Sequence, residues 1–358
     1  AGTIPWTVSP WATTNLGVGL LKVRQMCRSI PLESPWDARK AAEWDRMSLG
    51  AWLDKNLWSR QARDMLDMAL AGTYTSAASE VSLLWMLYQM ASGGGPDYVV
   101  STKNGAQDAR PVGGMGAVYR PMAAELGDAL QLSQPVRRIA QEADSVTIRC
   151  DDLTVRARRV IVAVPLAIAS QIVYEPMLPM DRSFLHQRMP GGAIVKISVI
   201  YDEPFWRADG LSGQSASPGS LATLTIDACT DTGTPGVMCV ITEGRAARQL
   251  ARLDEADRKT TIVRELVDRF GDKAGSPVGY HEQDWSVERY SGGGMISHAP
   301  TGVLTEFGRA LRERCGLIHW AGTESSAVMC GWVDGAIRSG ERAAAEVMAL
   351  ETATTEPV

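Results

Sequence analysis

Apolar positions at residues 16, 20, 21, 23 and 26 recur in steps close to a helical turn. After a loop from Ala1, they predict an amphipathic helix carrying Leu16, Leu20, Leu21, Val23 and Met26 on one side. Asp45 or Ser48 offers an N-cap for a helix over 49–56, and Ser59 offers one for 62–71. Residues 76–90 predict a further helix, with Val81, Leu84, Trp85 and Leu87 turned inward. Trp36, Trp44, Trp52, Trp58 and Trp85 all fall in this region and read as core anchors of a helical layer. The run SGGGP at 92–96 reads as a flexible break. A short strand over 98–102, the loop NGAQDARPVGGMG and a helix over 117–126 follow.

Beyond Ala129 the period shortens. Strands are predicted over 130–132, 136–139, 146–150 and 153–157, a meander, and a buried strand over 159–164 returns to the main sheet. Residues 193–201, AIVKISVIY, are apolar almost throughout, as in a strand covered on both faces. Lys196 stands within that run, where an ammonium is costly unless it reaches water or a partner. Strands over 221–226 and 237–242 precede a helix over 255–270 with Ile262, Leu266, Val267 and Phe270 inward. The chain closes on a strand over 317–320, a turn at Ala321 and Gly322, a polar loop over 323–326 and a long helix. Val333, Ala336, Ile337, Ala344, Val347 and Met348 recur on that helix at helical spacing. Its small residues Gly335, Ala336, Gly340, Ala343 and Ala344 permit close approach to another backbone or a flat ligand. A strand, glycine turn and helix N-terminus form a generic site for an anionic group, because the first amides lack partners and the dipole is positive there.

The 358 residues suffice for two domains with a substantial core. A net charge of −5 argues against a nucleic-acid or anionic-membrane partner. The six cysteines form no CxxC pair and no His-paired spacing, so buried thiols are expected rather than a metal site. No apolar run approaches the roughly 18 residues of a membrane span, and a cytoplasmic protein is expected.

Several blocks carry a specific resemblance. They are PWDARKAAEWDRMSLGAWLDK from Pro35, NGAQ from Asn104, VGGMG from Val112, VIVAVP from Val160, GGAIVKISVIYDEPFW from Gly191, ERYSGGG from Glu288, AGTE from Ala321 and GW-x-DGAI-x-SGERAA from Gly331. In this order, and over nearly the whole chain, the sequence resembles the flavin-containing monoamine oxidase family. The resemblance implies an α/β (α+β) class and the two-domain FAD-dependent amine oxidase fold. The family's N-terminal strand–GxGxxG–helix, which holds the FAD diphosphate, has no counterpart here, so the Rossmann βαβ part is expected to be missing from this chain. Domains are expected at 1–108 (helical part of the substrate domain), 109–170 (FAD-domain meander and returning strand), 171–284 (substrate-domain sheet) and 285–350 (C-terminal part of the FAD domain), with a tail at 351–358.

The resemblance also implies site residues. Val99, Val100 and Gln107 would line the substrate route. Val136 would meet the adenine by its backbone. Lys196 would hold a water against flavin N5. Trp285, Gly294, Gly322, Thr323, Glu324, Gly331 and Trp332 would contact FAD. Covalently flavinylated relatives carry a cysteine where Gly294 stands, so FAD is expected to be non-covalent. The two aromatic rings that flank the substrate correspond to Met295 and Trp332, leaving one ring and one thioether. The expected reaction is oxidative deamination of a primary or secondary amine, with imine hydrolysis to aldehyde and release of hydrogen peroxide from oxygen. Alternatives are an L-amino-acid or polyamine oxidase, or a non-catalytic remnant unable to hold FAD. A separate N-terminal FAD-binding polypeptide and a homodimer are candidate partners.

Overall fold

The computed structural model describes residues 9–355 except 72, 102 and 231. The chain divides into two compact units, one of residues 1–22, 43–86 and 189–302, the other of residues 23–42, 87–188 and 303–358.

The first unit is built on a five-stranded antiparallel sheet. Its order is Gly279–Asp284, Ile194–Tyr201, Gly236–Glu243, Leu224–Asp227 and Ser215–Ala216. Val195, Ile197, Val199 and Tyr201 point to one face. There they pack with Phe205, Trp206 and the inward stripe Ile262, Leu266 and Phe270 of helix Glu255–Phe270. The opposite face of this strand is not sealed, contrary to the reading of its apolar run: Lys196 is exposed and Ile200 half-buried.

Ser48 caps helix Leu49–Asn56 by accepting from the Ala51 amide at 3.1 Å. Asp45 instead accepts from the buried Ser82 hydroxyl. The helix expected over 76–90 begins only at Leu83 and runs to Ser92. The backbone before it is already committed: Ala78 O accepts from Gly50 N, Val81 O from Leu49 N, and Ser82 N donates to Ala299 O. Of the five tryptophans, Trp44, Trp52 and Trp85 are buried and Trp36 is half-buried. Trp58, at 66% exposure, is no core anchor.

The second unit holds the meander, with strands Val136–Gln141, Val146–Cys150 and Thr154–Ala157, and Val173–Glu175 pairs parallel with the first of these. Strand Val160–Val162 pairs parallel with Ile318–Trp320. Ile139, Val146, Ile148, Val162, Ile318 and Trp320 share one core. Helix Val333–Thr355 follows, with Ala343 fully buried.

Two predicted strands of this unit are absent. Residues 96–100 form a helix, Pro96–Val100, because Pro96 fits the first helical position after Gly95 and outweighs the β-preference of Val99 and Val100. Thr102 lies outside the described residues. At 130–132 the chain leaves a 3-10 turn, Gly127–Ala129, and finds no strand partner. All six cysteines are free thiols, five of them buried. Among the described residues no group of side chains is arranged to hold a metal, and no helix is long and apolar enough to cross a membrane.

Candidate active site

The junction after strand Ile318–Trp320 concentrates polar backbone. Gly322 has φ +121°, a conformation that side-chain-bearing residues rarely adopt, and it leads into a 3-10 turn, Thr323–Ser325. Its amide donates to Ser339 Oγ at 2.9 Å, and its carbonyl accepts from Ser325 N and Oγ. Thr323 Oγ1 accepts from Gly331 N at 2.6 Å and donates to Trp332 O at 3.0 Å. One hydroxyl thus ties the turn to the start of the long helix. Among the described residues, the amides of Val333 and Asp334 have no acceptor, as a helix start leaves them. Glu324 is 9% exposed within the turn.

Side chains packed behind the turn hold it in place. Arg342 Nη2 donates to Trp320 O at 2.7 Å and to Ser325 Oγ at 3.2 Å. Arg312 donates to Ser325 O, and the buried Tyr88 hydroxyl donates to Ser326 O at 2.6 Å. Arg182, only 4% exposed, lies with its guanidinium carbon 3.5 Å over the Trp320 ring. It donates to Ala310 O and to His186 Nε2. Burial pushes the Arg182 guanidinium down to about 9, with Cys315, Tyr174 and Glu324 opposing, and pushes His186 down to about 3, so the imidazole is neutral.

Trp332 is placed by a glycine that had read as part of a flexible break. A Cβ built on Gly93 would lie 2.8 Å from Trp332 Cη2 and 2.9 Å from Val99 Cγ2. Ser92 O and Oγ accept from the amides of Met329 and Cys330. Gly93 is therefore a packing surface for the indole, and Ser92 anchors the backbone just before it. Val99 is buried and Val100 exposed at 39%. Gln107 Nε2 points to Val99 O at 3.5 Å, a long bond within its own loop. Val136 pairs with Cys150 on one side, whereas the parallel partner Val173–Glu175 covers only residues 138–140, so the other edge of Val136 carries no ladder bond.

The remaining predicted residues belong to the other unit. Lys196 stands opposite Ile241 and Gln283, and its ammonium has no partner among the described residues. Trp285 and Met295 are exposed at 40% and 58%. Gly294 O accepts from Thr75 Oγ1, and a Cβ on Gly294 would fall 2.5 Å from Ile194 Cγ2. Any side chain at 294, a cysteine included, needs Ile194 to move.

The arrangement fits a flavin nucleotide by its chemistry. Free amides at a helix start suit an anionic edge, and a carboxylate in a glycine turn suits hydroxyl groups. Tyr88, Ser92, Gly93, Arg312 and Ser339 hold the junction but escaped sequence reading. Ser339 lies within the GW-x-DGAI-x-SGERAA block without being singled out by it, the glycine run at 93–95 gave a signal of its own, and Tyr88 and Arg312 belong to no motif.

The family model for flavin-containing amine oxidoreductases matches residues 14–348. A flavin-containing amine oxidase of Danio rerio is 36% identical over 352 residues, 97% of this chain and 67% of that protein. Among solved structures, cyclohexylamine oxidase from Brevibacterium oxydans IH-35A superposes with a TM-score of 0.90 at 29% identity, covering 98% of this chain and 77% of the other. Wild-type putrescine oxidase bound to putrescine gives a TM-score of 0.93 at 30% identity, covering 98% and 78%.

Proposed function

Because the chain belongs to the flavin-containing amine oxidoreductase family and the activity of that family is flavin-dependent amine oxidation, we propose that its flavin is FAD, bound without a covalent link, and that its substrate is a primary or secondary amine. The observation that carries this reading is the Thr323 hydroxyl, which joins the Gly322 turn to Gly331 and Trp332. When bound, FAD would supply the two-electron acceptor for oxidising the carbon beside the amine, with oxygen as the final acceptor and hydrogen peroxide as the product.

The chain's own residues have distinct tasks. Gly322, its own amide and carbonyl bonded to Ser339 and Ser325, would shape the turn that seats the cofactor, Thr323 would offer it backbone, and Glu324 would accept from its hydroxyls. The amides of Val333 and Asp334 at the helix start, just after Gly331, would favour negative charge on the cofactor. The Trp332 face steers a neutral amine, with Val99 behind Gly93 as its backing. Lys196 presents an unpaired ammonium from its strand, suited to holding a water and stabilising negative charge during reoxidation. Val136, with one unpaired backbone edge, would meet the adenine. Gln107 orients the amine only if it leaves Val99 O, and Met295 offers a thioether where a second ring would give a π face.

Non-covalent attachment is supported by Gly294, which has neither a nucleophile nor space for one. The test is reconstitution with FAD followed by acid precipitation and a peroxide assay with putrescine, cyclohexylamine, tyramine, spermidine and amino acids. Flavin in the supernatant and peroxide from an amine are expected. Flavin retained in the pellet overturns the non-covalent reading, and peroxide from amino acids alone overturns the substrate class.

A further inference from the structure

Of the arginines packed behind the Gly322 turn, Arg342 pairs with Glu346, and Arg312 pairs with Glu33 at 3.1 Å. Arg182 has no such partner. Its donors go to Ala310 O, Leu311 O and the neutral His186 ring, and no carboxylate pairs with it among the described residues. At 4% exposure this is a costly way to hold a cation, since a buried charge is normally paired. Even pushed down to about 9 by burial, the guanidinium is charged at neutral pH. The groups acting against that push are Cys315, Tyr174 and Glu324. Burial raises the Cys315 thiol and the Tyr174 phenol, so both are neutral, and the Glu324 carboxylate is the anion left among them. Glu324 stands in the Thr323–Ser325 turn, just beyond Trp320, whose ring lies 3.5 Å from the guanidinium carbon. Trp320 O is held in turn by Arg342 Nη2 at 2.7 Å, which ties the ring's backbone to the packing behind the turn.

We propose that Arg182 is a positioning residue for the flavin: its unneutralised charge, seated on the Trp320 ring, sets a positive field at the Gly322–Glu324 turn and raises the reduction potential of the cofactor bound there. This role presupposes the cofactor reading above. Reduced flavin carries more negative charge than oxidised flavin, and a fixed cation in dry surroundings stabilises the reduced form without reorganising. A neutral side chain of the same shape would hold the turn equally well and contribute no field, so the potential separates electrostatics from scaffolding.

The test compares variants of the full chain after reconstitution with FAD. Arg182→Met removes the charge. His186→Glu neutralises it in place, because Arg182 Nε already donates to the side chain at that position at 2.8 Å. Each is expected to shift the flavin equilibrium about tenfold toward the oxidised form, a fall of about 30 mV for two electrons, read by reductive titration against a reference dye. Arg182→Lys and His186→Gln keep the charge and are expected to hold the wild-type potential. Without flavin, His186→Glu should melt at a higher temperature than His186→Gln, because the buried cation gains a counter-charge. Where Arg182→Met does not fold, His186→Glu decides. A wild-type potential in a folded, neutralised variant overturns the proposal, as does a fall in Arg182→Lys as large as in Arg182→Met. Equal melting of the two His186 variants overturns its premise, that the cation lacks a counter-charge. A wild-type chain that takes up no FAD sinks the cofactor reading and this role together, whereas uptake with an unmoved potential sinks the role alone.

Discussion

The indole of Trp332 lies so close to Gly93 that a β-carbon there would stand 2.8 Å from Cη2, a separation real side chains do not reach. Gly93→Ala should therefore displace the ring or the 93–95 backbone. We expect a stability loss of about 1–3 kcal/mol, as for overpacking elsewhere, and a shift in tryptophan emission. The KM for the amine should rise more than kcat falls. Unchanged emission and KM together would mean that the ring is not held by this contact.

Thr323 makes two hydrogen bonds through one hydroxyl. Thr323→Val removes both and leaves Gly331 N without its acceptor, a loss of about 1–3 kcal/mol in holding the junction. FAD affinity measured by fluorescence quenching should fall by about tenfold, whereas Thr323→Ser should keep most of it. If valine and serine behave alike, the hydroxyl is not what shapes the cofactor turn.

Lys196 is exposed and unpaired among the described residues, so Lys196→Met should leave the melting temperature unchanged. Stopped-flow reoxidation of the reduced flavin by oxygen should slow by about tenfold or more. A normal reoxidation rate would remove Lys196 from the mechanism.

Two glycines of helix Val333–Thr355 give opposite predictions. A Cβ at Gly335 would stand 2.0 Å from Met329 O, which is backbone and cannot swing away, while Gly340 has nothing within 4 Å. Gly340→Ala should stabilise the protein by about 0.5–1 kcal/mol through helix propensity. Gly335→Ala should destabilise it by about 3 kcal/mol or more. Chemical denaturation of the pair checks the sign of each.

Glu243 lies at the end of strand Gly236–Glu243, where burial first and the Asp67 charge second push its carboxyl up to about 8. The folded value lies above the unfolded one. The unfolded chain therefore ionises first, and stability falls as pH rises from about 4.5 to about 8. Glu243→Gln should accordingly raise the melting temperature at pH 9 and leave it nearly unchanged near pH 4. An equal gain at both pH values would show that charge is not the cause.

Family, chemistry and most elements were legible in the amino-acid order. The motif blocks are local, the helix at 49–56 follows from a capping side chain, the helix at 255–270 follows from its periodic apolar stripe, and the meander follows from short successive strands. The same local signals misled where distant backbone competed. Residues 76–82 carry a helical pattern, yet their carbonyls and amides bond to Gly50, Leu49 and Ala299, which no window of sequence contains. Val99 and Val100 look like a strand until Pro96 starts a helix.

Tertiary structure alone decided that Lys196 faces outward, because which face of a sheet is sealed depends on which helix packs against it. It also decided that Gly93 receives an indole, that Thr323 bridges turn and helix, and that a side chain at Gly294 would displace Ile194. Composition and order determine which groups are present and their neighbours along the chain. Burial and hydrogen bonding between residues hundreds of positions apart exist only once the chain has folded, since they are properties of the space around a side chain.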